Sequence, residues 1–413
     1  MTMRVMEKVE MILKLGYVCD HCLGRQFAQL LEGYSNDERG RLLRKVFLMS
    51  ADAQRKIDID RANITEQFHS ETLKKTIKPS KKHAKCIVCG GLFENLDKWI
   101  GKIRKALGGI EFDTFLIGTK LNADLIGREE WLWEKVGIDY CEPIKAEINR
   151  EIGKRIEKEL GKKADLKSPD VNIIINFSTG RVKVEKNPLF IYGEYQKLRR
   201  GIPQTIWPSG KYKTSVQQII AKPVMSATRG EWHKFHGAGR EDIDARCLGW
   251  RPFVLEITEP KKRHIDLDTL EKKINKSKSV RVRHLRFSSI DEVRQLKSAK
   301  PVKTYAALVK TNKDITRKDL KKLNNLVGEI RQWTPLRVSH RRSNRCRKRK
   351  VLSLKVRYIN KRTFLLTVRT EAGTYIKELI SGDSGRTKPS VAEILGVQCV
   401  CKQLDVTKID KIK

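Results

Sequence analysis

The chain has 413 residues, room for two or three domains, and carries 87 Lys and Arg against 49 Asp and Glu, a formal net charge of +38. A cationic excess of that size calls for a polyanionic partner, because each phosphate neutralised releases a condensed counterion; nucleic acid is the first candidate. No run of about eighteen apolar residues offers a membrane span, the N-terminus lacks an apolar secretory core, and 39% hydrophobic residues suffice for packed domains, so a soluble, cytoplasmic protein is expected.

Val5, Val9, Ile12 and Leu13 share one helical face, and the chain opens with an amphipathic helix running into Cys19-Asp-His-Cys22. A second C-x-x-C, Cys86-Ile-Val-Cys89, is followed by Gly90-Gly91 for the tight turn such knuckles need. In a reducing compartment these four thiolates predict one structural zinc ion, with the long gap between them holding a small helical insertion. Within that gap, Phe27 to Leu31 and Arg41 to Met49 are predicted helices, and basic Lys74 to Lys85, with Pro79, suits an exposed loop. His69-Ser70-Glu71 before the second knuckle mimics a zinc deaminase. Lys85 in place of the expected proline, the short spacing and an unexplained first knuckle argue against it.

From Gly109 to Tyr192 the pattern changes. Phe112 to Ile117 reads as a strand, Pro143 to Leu160 as a long helix with Pro143 in its first turn, and Val171 to Phe177, Arg181 to Val184 and Leu189 to Tyr192 as short strands. The order implies an α+β region. Tyr195 to Tyr212 then mixes Lys197, Arg199 and Arg200 with Tyr195, Trp207 and Tyr212 between glycines and prolines. Such a segment can grip phosphates and stack on bases, or pack as a linker.

In Phe235 to Ile257 a glycine-bearing loop feeds an apolar strand, and Arg240-Glu241-Asp242-Ile243-Asp244-Ala245-Arg246 packs three carboxylates and two guanidiniums into seven residues. Taken alone, that is equally an exposed salt-bridged turn. Tyr305 lies in the apolar run Lys303 to Val309, Phe364 to Val368 is strand-like, and Lys377 follows Gly373-Thr374-Tyr375-Ile376. Arg331 to Lys350 holds nine Arg or Lys and no acid, which by itself describes a solvated stretch.

Together these strings resemble the archaeal and eukaryotic tRNA pseudouridine(54/55) synthase family. The resemblance rests on AGRED-I-DAR-x-LG followed by RPFVLEI, on K-x-Y-x-A, on GTYIK, on QWTPLRVSHRR, on the paired knuckles, and on FLIGTKLNADLI with PDVNIIINFSTGRVKVEKNPLFIYGEY. It implies an α+β chain in three parts: a zinc-knuckle helical region at 1–108, a THUMP-like RNA-binding region at 109–195, and a pseudouridine synthase domain at 196–413 with a mixed, largely antiparallel sheet. Asp242 takes the catalytic place and Lys377 that of its basic partner. Tyr305 stacks on the flipped uridine and Tyr375 lines the pocket, while Arg240, Arg337, Arg341 and Arg342 contact substrate. Cys19, Cys22, Cys86 and Cys89 hold zinc. Trp333 stands where relatives often have arginine, and Ser209 to Lys213 lacks the extra cysteines that some relatives carry. The implied reaction isomerises uridine to pseudouridine at tRNA position 54, 55 or both, with tRNA as partner, a monomeric chain, and neither a catalytic cofactor nor a nucleotide. The alternative from a different class is a non-catalytic tRNA-binding or RNA-folding protein that keeps the scaffold.

Overall fold

The computed structural model describes residues 4–77 and 84–411, apart from the side chain of Arg341. It divides into two compact units, Met1–Asn187 and Pro188–Lys413.

In the first unit, the opening helix Val5–Lys14 buries Val9, Ile12 and Leu13. The chain then turns into the first knuckle around fully buried Asn63, which donates to the carbonyls of Leu13 (2.8 Å) and Gly16 (2.7 Å) and accepts from Val18 (3.1 Å). The predicted helix at Phe27 to Leu31 is replaced by a 3-10 turn at Arg25–Phe27, because the Gln29 amide bonds outward to Tyr140 (3.1 Å) and Leu31 adopts φ 57°. Arg41 to Met49 lies inside a longer helix, Asn36–Gln54, started by a Ser35/Glu38 capping box. Gly24 and Gly40 let this helix meet Asp20–Gly24 backbone to backbone, since a Cβ at either would collide with a carbonyl of the other. Of the expected loop Lys74 to Lys85, the first residues end the helix Glu71–Thr76, and 78–83 lie outside the described residues.

A four-stranded sheet runs in the order Lys163–Ala164, Thr114–Lys120, Val171–Asn176, Arg181–Lys186. Ile144–Leu160, with Pro143 as its N-cap, packs on it, as does Asp97–Leu107, a helix the sequence reading did not place. One hydrophobic core runs from Val9 through the four knuckle cysteines to Ile175.

The second unit is built on a sheet of ten strands among the described residues. Their order is Thr387–Lys388, Gly328–Trp333, Cys346–Asn360, Thr363–Thr370, Lys303–Thr311, Cys399–Ile409, Arg246–Thr258, Leu189–Lys197 and Val280–Ser288, with Trp232–Gly237 also paired to Arg246–Thr258. Pairing is antiparallel except where Asp405 and Val406 lie beside Arg246 and Cys247 in parallel, so the sheet is mixed and largely antiparallel. Leu189–Lys197, read from the sequence with the region before it, pairs here on both sides, with Arg246–Thr258 and Val280–Ser288. The basic stretch Arg331 to Lys350 is ordered as the end of one strand, a 3-10 turn at Leu336–Arg341 and the start of the next. Its charges alternate with buried positions such as Ile330, Gln332 and Val351, which tie it to the sheet.

Candidate active site

The acidic loop lies between Trp232–Gly237 and Arg246–Thr258 and is fastened from below. Glu241, 6% exposed, turns inward. Its carboxylate accepts from the Tyr195 hydroxyl (3.0 Å) and pairs with Arg251 (3.1 Å) and Lys197 (3.8 Å), all fully or almost fully buried. A buried charge without partners is expensive, and here one carboxylate serves two cations. The cations then hold the loop's carbonyls: Arg251 donates to Ala238 (2.8 Å), and Lys197 to Asp242 (3.0 Å), Ile243 (3.3 Å) and Ile202 (3.0 Å). Burial pulls the Lys197 ammonium below its usual range, with the Glu241 charge opposing.

Of the two readings the sequence left open for the junction, phosphate contact or packing, Lys197 and Arg200 follow the second. Lys197 is sealed under the loop, and Arg200 is taken up by the Asp244 carbonyl (3.0 Å), the Leu404 carbonyl (2.6 Å) and Asp405 (2.5 Å). Asp405 also binds Arg246 (2.7 Å), which fixes the loop's exit at the parallel strand pair.

With Glu241 turned in, Asp242 and Asp244 face a cleft of about 660 Å³ lined also by Arg240, Lys303, Tyr305, Arg337, Arg342, Tyr375 and Lys377. Asp242 is one-third exposed, and each carboxylate oxygen faces a different cation: Oδ1 lies 3.3 Å from Arg337 and Oδ2 3.4 Å from Lys377. Lys377 lies closer to Asp244, at 2.8 and 2.7 Å from its two oxygens. Burial lowers the Lys377 pKa, but the Asp244 hydrogen bonds and the two carboxylate charges outweigh it and hold the ammonium above its usual range. For Asp244 the desolvation is offset in the same way, and its carboxyl is held down by Lys377. Arg337 is braced by Glu378 (2.6 Å), which is itself buried.

Tyr305 sits on Lys303–Thr311, largely buried, and burial pushes its hydroxyl up to about 12. Tyr375 is held by its backbone, donating to Gln332 Oε1 (2.9 Å) and accepting from Gln332 Nε2 (3.0 Å), while its hydroxyl accepts from Arg342 (2.8 Å). Arg240 is exposed on the cleft rim, Trp207 joins the lining, and Trp333 is exposed with the Arg386 guanidinium 5.8 Å from its ring. Arg341's side chain lies outside the described residues. The site thus gathers Asp242, Lys377, Tyr305, Tyr375, Arg240, Arg337 and Arg342. Sequence reasoning gave no role to Gln332 or Glu378, and did not see Glu241, Lys197 or Lys303 as buried charges beneath the site. A clue existed in the alternation of Lys197 with apolar residues along its strand, which puts it on the buried face.

The first unit holds a different cluster. The sulfur atoms of Cys19, Cys22, Cys86 and Cys89 all lie within 4.8 Å of one another. A tetrahedral metal with sulfur ligands at ~2.3 Å spaces its sulfurs ~3.8 Å apart, so the four thiols suit one ion. The surroundings fit too. Arg25, fully buried, pairs with Glu129, feels the Cys22 charge and has two nitrogens without hydrogen-bond partners, as a counter-ion to an anionic thiolate centre would. His21, on the first knuckle, stacks on Phe93 at 4.4 Å and bonds Glu147 (2.8 Å). Among the described residues, His69 and Glu71 join no such group.

Comparisons with known proteins identify the family. The model of the Pus10 C-terminal domain matches residues 190–410, and that of the archaeal Pus10 THUMP domain matches 99–176. A tRNA pseudouridine synthase Pus10 from Methanothrix thermoacetophila is 40% identical over 96% of this chain and 93% of its own length. The Pyrococcus furiosus protein of the same name is 39% identical over 98% of both, and that of Methanothermobacter marburgensis 41% identical over 98% of this chain and 99% of its own. A solved Cbf5-Nop10-Gar1 complex contains a chain 22% identical at a TM-score of 0.33, over 52% of this chain and 48% of that one. These full-length matches define an isomerase of the pseudouridine synthase class preceded by a THUMP domain. The chain belongs to the Pus10 family of tRNA pseudouridine synthases.

Proposed function

We propose that the chain isomerises uridine in the T-loop of tRNA, at position 54, 55 or both, with Asp242 as the catalytic residue. The observation that carries the assignment is Asp242 itself, a carboxylate held open to the cleft between Arg337 and Lys377 while the loop beneath it is fixed by buried charges. The C1′–N1 bond breaks with its electron pair going to the uracil. Asp242 captures the electron-poor C1′ or removes a sugar proton. The ring then turns, C5 bonds to C1′ as the Asp242–C1′ bond breaks or the sugar proton returns from Asp242, the C5 proton leaves, and N1 gains a proton, so atoms and electrons balance without an oxidant or a nucleotide. Lys377 and Arg337 hold the Asp242 carboxylate aimed into the cleft. Asp244 anchors Lys377 from its other side.

A uridine in a stacked loop reaches Asp242 only when flipped out. Tyr305 supplies the plane for the extruded base, a contact worth roughly 1–3 kcal/mol, and Tyr375 with Arg342 forms the facing wall. Arg240, Arg337, Arg341 and Arg342 serve the substrate, and the exposed cations of 331–350 take phosphates. The metal held by Cys19, Cys22, Cys86 and Cys89 is zinc in a structural role, since four thiolates fill its shell. The chain acts as a cytoplasmic monomer on tRNA.

Incubation of the purified protein with unmodified tRNA, followed by carbodiimide labelling of pseudouridine, tests the reading. Label at position 54 or 55 is expected. No label at either, with tRNA still bound, would favour the non-catalytic alternative.

A further inference from the structure

Lys303 is a buried cation that the scaffold does not use. It is 7% exposed, yet lines the cleft with Asp242, Tyr305 and Tyr375. The nearest buried carboxylate, Glu241, is already shared by Arg251, Lys197 and Tyr195. Among the described residues the Lys303 ammonium has neither a hydrogen bond nor an ion pair. Space for it is made by Gly239 at φ +81°, where an added Cβ would stand 2.8 Å from the Lys303 ammonium and 3.3 Å from Arg251. A largely buried ammonium that opens only to the cleft and has no carboxylate of its own costs free energy, so folding alone does not account for it.

Position says what it faces. Lys303 and Tyr305 are two apart on one strand, so they stand on the same face of the sheet about 7 Å apart. A ring stacked on Tyr305 therefore has its edge within reach of the lysine. We infer that Lys303 donates a charge-assisted hydrogen bond to a carbonyl oxygen of the flipped uracil, O2 or O4, and balances the negative charge the ring gains when C1′–N1 breaks. This rests on the synthase reading above. Lys303 transfers no proton in the step: it remains an ammonium while the bond pair spreads over N1, O2 and O4, and the charge disperses again when C5 bonds to C1′. The two cations on Asp242, Arg337 and Lys377, are engaged with carboxylates and serve the sugar side.

Burial and the Arg251 charge bring the Lys303 pKa down to about 8. The groups that act on it are Arg251 and Cys247 on Arg246–Thr258 and Glu241 on the loop, while Asp242 on the loop and Tyr305 on its own strand share the cleft; on the flanking strands its partners are the neutral Thr370 and Ile409, and Arg369, beside Thr304, faces the other side of the sheet. Cys247, Tyr305 and Arg251 are all held above their ordinary values.

The test compares the full chain with Lys303→Met, and with Lys303→Gln should the first not fold. Substrates are tRNAs bearing uridine, 2-thiouridine or 4-thiouridine at the modified position, read as single-turnover rates at saturating RNA. Loss of a preorganised donor to developing charge costs about 10²-fold or more in rate, with binding within a few-fold and no loss of melting temperature. One thio substitution should slow the wild type and add little to Lys303→Met, because the two changes remove one contact. The wild-type rate should fall above pH 8, and the variant's should not. The inference is overturned if Lys303→Met keeps its rate within threefold, if neither thio substitution slows the wild type, or if the thio effect persists in full in the variant. Failure of the wild type to isomerise any uridine would overturn the synthase reading instead, and this inference with it.

Discussion

The four-thiol cluster of the first unit and the aspartate loop of the second both concentrate charge, and they treat it oppositely. Cys19, Cys22, Cys86 and Cys89 turn inward on one point, with Arg25 buried beside them, so nothing is left over for a substrate. In the aspartate loop, Glu241 is consumed by Tyr195, Lys197 and Arg251, while Asp242, the next residue, stays one-third exposed between two cations. A saturated charge cluster builds structure; an unsaturated one, supported by a saturated one, is where chemistry is placed.

Breaking the closed cluster should give the largest loss. Structural zinc sites contribute about 10–16 kcal/mol of apparent binding energy, so Cys86→Ser should unfold much of the first unit. Hydrogen exchange over residues 4–187 would show it, together with loss of the roughly one zinc per chain expected of the native protein. Next comes the support under the open site. Lys197→Met removes a partner of Glu241 and the donor to two loop carbonyls, and should destabilise the second unit by about 3–5 kcal/mol in denaturant titration.

Lys303 sharpens the contrast with opposite sign. Its pKa falls from 10.5 to about 8 on folding, so between those values the unfolded chain holds more protons and stability rises with pH across that window. At pH 7, below both values, the penalty is fully present. Lys303→Met should therefore stabilise the protein by up to about 3 kcal/mol and abolish that rise, as thermal melting from pH 7 to 10.5 would record. The smallest effect is expected at the exposed cations of 331–350. If Arg345 and Lys350 each hold a phosphate, changing both to Gln should flatten the log–log salt dependence of tRNA affinity by one to two units.

The sequence made the parts of the site legible where a string carries them locally: Asp242 in AGRED, Tyr305 in K-x-Y, Lys377 after GTYI, and the two knuckles. It also yielded the strands at Val171 to Phe177 and Phe364 to Val368, which are seen as Val171–Asn176 and Thr363–Thr370. What it could not show was partnership across long separations, such as Arg337 on Asp242 or Lys377 on Asp244, which depend on strand order. For Lys197 and Arg200 the sequence left phosphate contact and packing open, because a lysine in a basic run looks the same whether it meets solvent or a loop carbonyl. Phe27 to Leu31 failed as a helix for a similar reason: the Gln29 amide finds a distant carbonyl.

The central claim is that Asp242, and not the neighbouring carboxylate that binds Lys377 more closely, performs the chemistry. Asp242→Asn and Asp244→Asn, assayed side by side for pseudouridine formation and tRNA binding, test it directly. Asp242→Asn should lose at least about 10³-fold in rate, on the scale of removing a nucleophile, with binding within a few-fold. Asp244→Asn should only slow the reaction, because Arg337 and Lys377 still face Asp242. Retained activity in Asp242→Asn with loss in Asp244→Asn would contradict the account and move the catalytic role to Asp244.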